Sequence, residues 1–438
     1  MTERRPVQHP DWTRTAAIYQ LNQRQLTPEG TFRAAQEHLE RIRDLGASIV
    51  WLMPVHPIGE VNRKGTLGSP YAISDHRAVN PEFGTTEDLR AFVAAAHELG
   101  LKVILDWVAN HTAWDHVLVE EHPEFYKRDR NGRFRPTPWW DWDDIIDLDY
   151  AVPGVHEYMA DAMEHWVREC DVDGFRCDVA GFVPMDFWRA VRARLDAIKP
   201  VFMLAEWEER DLHDGAFDAS YAWAWNETLH RVASGSAAPE ALVVHYAQHQ
   251  GSWPQDAMRM TFVSNHDHNH ADGTEYDRFG DALPAAIVLS VVGEGIPLIY
   301  TGQELGNRKR LAFFDKDLVE EGDPHQAQLY GTLLGLKREH PSLWNAPWGA
   351  PMTRVPTSEP ERVLAFTRDS GGDAGAGTDG ADRSVLALVN LSPESATVVL
   401  GDGPQAGEYA DLFTGETVRP DDGWSTDLPA WGFRVLRR

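Results

Sequence analysis

The stretch DGFRCDVAGF, residues 173–182, is mostly apolar, yet it sets Arg176 and Asp178 two residues apart. Strand side chains alternate between two faces, so Arg176 and Asp178 share one face while Phe175 and Cys177 take the other. A strand that reads as buried thus carries a cation and an anion on the same side, and its surroundings must account for them. A helical pattern near 153–170 precedes it. PMDFWRAVRARLDAIK (184–199) comes next with helical spacing, and VFMLAEW (201–207) is a further strand.

That unit recurs in both directions. AAIYQLN (16–22), SIVWLMPV (48–55) and KVILDWV (102–108) read as strands, separated by the helical runs TFRAAQEHLERIRDLG (31–46) and TTEDLRAFVAAAHELG (85–100), each with a glycine stop. ASYAW (219–223) is a weak sixth strand with helical sequence at 226–249 behind it. MRMTFVSNHD (258–267) is the seventh, GDALPAAIVLSVVGEG (280–295) a helix, PLIYTGQE (297–304) the eighth strand, and 325–339 a closing helix. Eight strands alternating with helices predict a (β/α)8 TIM barrel, with an open doubly wound sheet as the alternative.

Two segments break the alternation. Residues 111–150 form a polar, aromatic excursion after the third strand, long enough to be a small inserted domain. Residues 350–438 lose the helical period and show the short runs RVLAFTR, SVLALVNL, ATVVLG and GFRVLRR, which predict a C-terminal antiparallel β-domain. Within it, DSGGDAGAGTDGADR (369–383) reads as a Gly/Asp-rich loop. The division is then 1–110 and 151–349 for the barrel, 111–150 for the insertion and 350–438 for the last domain.

Composition narrows the function classes. A hydrophobic share of 42% fits a globular chain, and no apolar run reaches the about 18 residues of a membrane span. MTERRPVQHPDWTRT has no apolar signal-peptide segment, so a cytoplasmic location is expected. A net charge of −27 argues against a nucleic-acid partner. Lysine is scarce, seven against thirty-four arginines, which fits either a saline cytoplasm or a biased genome composition. Cys170 and Cys177 read as reduced core residues. Oligomeric state leaves no signal.

In a parallel barrel, functional groups gather at the C-terminal ends of the strands. Here those ends carry Asp106, Asn110 and His111, then Arg176 and Asp178, then Glu206, then Asn265, His266 and Asp267. Four acids, an arginine and two histidines at one mouth exceed what capping requires. Converging carboxylates repel, so one must stay ionised while another holds a proton. Arg176 is expected to keep Asp178 ionised, and its acidic neighbours to keep Glu206 protonated. Such a pair suits a retaining glycosidase. Trp139, Trp140 and Trp142 in the excursion, and Tyr71 after the second strand, offer flat faces for sugar rings.

These segments resemble the alpha-amylase family of glycoside hydrolases (family thirteen), most like compact bacterial alpha-amylases. DWVANH (106–111), GFRCD (174–178), AEW (205–207) and FVSNHD (262–267) resemble its four conserved regions in order. SPYAISDHRAVNPEFGTTEDL (69–89) resembles the stretch with the stacking tyrosine, and DIIDLDY (144–150) the end of its domain B. The resemblance implies a barrel, a domain B after strand three and a C-terminal β-sandwich. It implies double displacement at α-1,4-glucosidic bonds of starch or maltooligosaccharides, with Asp178 as nucleophile, Glu206 as general acid/base and Asp267 as the third catalytic acid. Substrate would be held by Tyr71, His111, Arg176, His266, Trp140 and Trp142.

The chemistry itself requires no cofactor. Calcium is a further possibility, because Asn110 stands where the family's ion finds a ligand and Asp141, Asp143, Asp144, Asp147 and Asp149 lie nearby. Where many members have Lys-His after the nucleophile, this chain has Gly181 and Phe182, which leaves the leaving-group side undefined. The short TPEG loop after strand one favours a polysaccharide or maltooligosaccharide alpha-amylase over an alpha-glucosidase, and attack on internal α-1,4 bonds is the leading expectation. Alpha-glucosidase, cyclomaltodextrinase and transglycosylase share the mechanism and stay open. A non-catalytic glycan-binding protein would be expected to lose one of the three acids. A metallohydrolase built on the HDHNH run (266–270) would leave Arg176 and Glu206 unexplained.

Overall fold

The computed structural model describes residues 4–370 and 383–438. The Gly/Asp-rich loop read at 369–383 lies, apart from its ends, outside the described residues. The eight barrel strands are β1 (Ile18–Leu21), β2 (Ile49–Leu52), β3 (Lys102–Trp107), β4 (Gly174–Cys177), β5 (Phe202–Ala205), β6 (Ala219–Tyr221), β7 (Met258–Thr261) and β8 (Ile296–Tyr300). Each pairs in parallel with its neighbours in sequence, and β1 with β8 closes the barrel. The doubly wound alternative therefore falls.

The period-two pattern sorts the residues. Ile18, Ile49, Trp51, Ile104, Phe202, Leu204, Met258, Met260 and Leu298 fill the interior. Tyr19, Val50, Val103, Phe175 and Met203 face outward and pack under the helices. Near the C-terminal ends the inward positions turn polar, with Gln20, Asp106 and Arg176 all fully buried. The core thus ends where the site begins.

Several elements depart from the pattern reading: the eighth strand stops at Tyr300, short of Glu304, and the helical stretch at 226–249 is two helices, Trp223–Ala233 and Glu240–Ser252. The helix read over 31–46 is two helices, Phe32–Gln36 and Leu39–Leu45, because the Glu37 N–H turns to the Ala34 and Ala35 carbonyls and tightens the chain. The seventh strand does not reach Asp267. It stops at Thr261, and a helix, His266–Ala271, begins where the Asn265 side chain accepts from the His268 N–H at 2.8 Å. His266 and Asp267 therefore ride on a helix start rather than a strand end.

In the excursion, His111–Ala113 pairs antiparallel with Ile145–Asp147, so its two ends are clamped beside the mouth of β3. At the C-terminus a six-stranded antiparallel sheet faces a two-stranded one, Ala396–Val399 with Ser425–Leu428. Leu386, Leu388, Val398, Leu400, Leu428 and Leu436 fill the space between. Arg368 ties this domain to the barrel: it is buried, and it donates to the carbonyls of Ala350 at 2.8 Å, Gly293 at 2.6 Å and Trp344 at 3.2 Å. Among the described residues, no helix is long and apolar enough to cross a membrane.

Candidate active site

Strand register builds the floor. Asp106 on β3 and Arg176 on β4 are direct partners across the sheet, so both point into the mouth side by side. The Arg176 guanidinium donates to Asp106 Oδ1 at 2.8 Å and to Asp178 Oδ1 at 2.9 Å from Nη1, and from Nε to the Tyr221 hydroxyl at 3.2 Å. Its Nη2 lies 3.0 Å from Glu206 Oε1, a charge contact without hydrogen-bond alignment. One fully buried cation is thus shared by three carboxyls.

Arg176 does not single out Asp178. Burial, and after it the negative charge of Glu206, pushes the Asp178 carboxyl well above the usual carboxylate range, with Arg176 pulling the other way. Asp106 is pushed up to about 6 by burial, against the same guanidinium. Asp178 and Glu206 share a single counter-charge.

A directed chain of hydrogen bonds crosses the floor. The Gln20 amide lies 2.6 Å from His266 Nδ1, His266 Nε2 lies 2.7 Å from the Tyr71 hydroxyl, and Tyr71 donates to Asp106 Oδ2 at 2.9 Å. With the Gln20 N–H donating, His266 Nδ1 is an acceptor and the proton sits on Nε2. Burial holds the imidazole of His266 well below its ordinary value, and that of His111 down to about 3, so both rings are neutral donors and acceptors. Trp51 Nε1 donates to Asp106 at 3.1 Å and completes the set.

The turn after β4 places the second carboxyl. Val179 sits at φ 35°, ψ 48°, the left-handed region that a β-branched residue avoids. That backbone aims the Val179 N–H at Glu206 Oε2, 2.7 Å away. Gly181 follows because a Cβ there would lie 2.3–2.4 Å from the Trp207 indole. Phe182 packs on Trp207 at 5.1 Å and on Trp140 at 5.3 Å, and Trp140 stacks on Trp142 at 5.3 Å. Gly181 and Phe182 thus produce an aromatic wall beside Glu206.

The cavity is about 670 Å³. Tyr71, His111, Trp140, Trp142, Asp178, Glu206, His266 and Asp267 all line it. Arg176 lies beneath, sealed from solvent. Asp267 stands at the rim with its side chain 44% exposed, 3.3 Å from His266 Nε2. Trp139 does not join the lining: it is 97% exposed and points to solvent. Sequence reading missed Gln20, Trp51, Tyr221, Trp207 and the pair Phe313–Phe314. Only Trp207, adjacent to Glu206 in AEW, carried a local signal.

The calcium expectation meets a set that is already satisfied. The Asn110 amide donates to Thr137 Oγ1 at 3.3 Å and Asp147 Oδ1 at 3.4 Å, and Thr137 donates to the same Asp147 oxygen. Asp143 and Asp144 turn to Lys64 at 3.4 and 3.5 Å, and Asp149 caps the Ala151 N–H. Four of the five acids are already held, Asp143 and Asp144 by Lys64, Asp147 by Asn110 and Thr137, and Asp149 by the Ala151 N–H, an arrangement that does not fit a calcium cage. The HDHNH histidines also part company. His266 faces Tyr71, His268 packs on Trp223 and Phe262, and His270 packs on Phe313. Among the described residues, no cluster of three or more His, Cys, Asp or Glu could hold a metal ion.

Fold and site together define a parallel-barrel protein with a compact carboxyl cluster in an aromatic cleft. The family model for the alpha amylase catalytic domain matches residues 12–329, and the chain belongs to the alpha-amylase family. Alpha-amylase MalA of Haloarcula japonica is 28% identical over 429 residues, covering 94% of this chain and 60% of that one. A maltogenic alpha-amylase, AmyB of Thermotoga neapolitana, superposes with a TM-score of 0.85 at 30% identity, covering 97% of this chain and 98% of that one. An alpha-amylase of Lactobacillus plantarum gives 0.84 at 31% identity, covering 97% and 99%. The chain spans about 60% of the length of the first curated relatives it matches.

Proposed function

We propose that this protein hydrolyses α-1,4-glucosidic bonds of maltooligosaccharides or starch with retention of configuration. The observation that carries the reading is the Arg176 guanidinium within 3.0 Å of both Asp178 and Glu206. One planar group touching both keeps the carboxyls close, as a retaining pair separated by about 5–5.5 Å requires. With the proton of the pair on Glu206, the Asp178 carboxylate, held by Arg176, attacks the anomeric carbon through Oδ. The C–O bond to the leaving sugar breaks as Glu206 delivers its proton to the departing oxygen. Glu206, now a carboxylate, then takes a proton from water, whose oxygen displaces Asp178. The aglycone negative charge thus never develops fully.

Tyr71 offers its face to the ring under attack, while neutral His111 and His266 offer hydrogen bonds without competing for charge with the oxocarbenium-like centre. Asp267 at the rim accepts from ring hydroxyls. No step requires a metal or cofactor. The aromatic wall of Trp207, Phe182 and Trp140 on the leaving-group side also supports a second reading, transfer to a sugar acceptor. An alpha-1,4-glucan:maltose-1-phosphate maltosyltransferase of Arcanobacterium haemolyticum is 29% identical over 441 residues, covering 89% of this chain and 61% of that one.

Chromatography of maltoheptaose and soluble starch digests tests both. Shorter maltooligosaccharides are expected from the native chain, and a loss of about 10²–10⁴-fold in Glu206→Gln. Products longer than the substrate would select transfer. Full activity in Glu206→Gln would remove the mechanism.

A further inference from the structure

Three loops meet across one end of the cavity. The loop after β2 joins the segment after β8: the Leu67 N–H donates to the Phe314 carbonyl at 2.9 Å, and the Thr66 N–H and hydroxyl donate to Asp315 Oδ1 at 2.8 and 2.6 Å. Gly65, at φ 59°, lies so close that a Cβ would stand 2.5 Å from Phe314 Cβ. The same loop joins the excursion. Lys64 Nζ donates to the Asp141 carbonyl and pairs with Asp143 and Asp144, and Asn62 reaches the Asp143 carbonyl at 3.5 Å. Behind this fence, Phe313 lies parallel to Tyr71, 6.2 Å away at 3°. Lys64, Asp144, Phe313 and Phe314 line the same cavity as Asp178 and Glu206.

The chemistry orients the fence. Glu206 protonates the leaving oxygen, so the leaving sugar lies on its side, toward Trp207, Phe182 and Trp223. The glycone lies over Tyr71, and beyond Tyr71 stand Phe313 and the bridged loops. An internal bond of a long glucan needs room for chain on both sides. We propose, resting on the hydrolase reading above, that residues 62–67, 141–144 and 313–315 close the glycone end. The enzyme then takes its substrate by the non-reducing end and releases a short product of fixed length. Lys64 and Asp144 present a donor and an acceptor to the hydroxyls of that terminal sugar. This departs from the expectation of attack on internal bonds.

The test compares a p-nitrophenyl maltoheptaoside having a free non-reducing end with the same compound blocked there as its 4,6-O-ethylidene acetal, with products monitored by chromatography. The free compound is expected to give one short product from the first time points. The blocked one should turn over slower by on the order of 100-fold. In the triple variant Phe313→Ala/Phe314→Ala/Asp315→Ala, which removes the fence side chains on one strand of the closure, the blocked-to-free rate ratio should rise about tenfold or more. Equal rates and mixed product lengths from both compounds in the native chain would overturn the closure while leaving hydrolysis standing. A ratio unmoved in the triple variant would overturn it as well. No cleavage of either compound, or of plain maltoheptaose, would overturn both readings.

Discussion

Asp178 holds its place against its own electrostatics. It is buried, it faces Glu206 and Asp106, and it has only a share of Arg176. Its folded-state proton affinity exceeds that of an unfolded carboxyl, near 3.9. The folded state therefore binds more protons than the unfolded one above that pH, and this group's contribution to stability falls as pH rises. Asp178→Asn removes the penalty while leaving a group of the same shape. The variant should lose turnover and yet melt at a higher temperature at neutral pH, with the gain shrinking toward pH 4. Thermal unfolding across a pH series reads this directly; a lower melting temperature at every pH would contradict it. Asp178, Arg176 and Glu206 were legible because their chemistry sits in short local patterns. The relay from Gln20 through His266 and Tyr71 to Asp106 was not, since its four members come from distant parts of the chain and meet only when the barrel closes.

At the scale of elements, the turn after β4 does the positioning. Val179 is held in a strained conformation so that its N–H meets Glu206, and Gly181 clears room for Trp207. Gly181→Ala should force the indole outward at a cost of about 1–3 kcal/mol. Intrinsic tryptophan fluorescence should shift, and activity should fall with KM rising more than kcat falls, because the leaving sugar loses its wall. Unchanged kinetics would show that Trp207 does not contact substrate. Strands and helices were readable from period and caps, but their ends were less so. FVSNHD continues a strand pattern, and only the Asn265 cap, a role that asparagine shares with many loop positions, turns it into a helix start. The Gly181-Phe182 departure was visible in sequence, but the aromatic wall it joins requires residues 140, 182 and 207 to be brought together.

For the whole molecule, two ties matter. Arg368 reaches from the C-terminal domain to the Gly293 and Trp344 carbonyls of the barrel, and to the Ala350 carbonyl at the junction. Arg368→Met leaves those buried acceptors unpaired, so a loss of several kcal/mol is expected at about 1–3 kcal/mol each. It should appear in urea unfolding as a lower midpoint and, as the domains uncouple, a broader transition. A sharp transition at the native midpoint would contradict the tie. At the other junction, Asn110, Thr137 and Asp147 join barrel and excursion through hydrogen bonds. A chelator should therefore leave both melting temperature and turnover unchanged; a fall of several degrees, reversed by calcium, would show an ion there. A C-terminal antiparallel domain was legible in the alternating runs after residue 350, whereas its anchor was not, because a strand arginine reads as solvent-facing. The fence across the cavity was likewise invisible, being made of contacts between loops some 250 residues apart, as between Thr66 and Asp315.

Double displacement through Asp178 and Glu206 is tested most directly by proton NMR of the first product formed from maltoheptaose, recorded faster than the new reducing end mutarotates. The α-anomer is expected, since two inversions at one carbon restore the starting configuration. A β-anomer would mean a single inversion by water, and would contradict a nucleophilic role for Asp178.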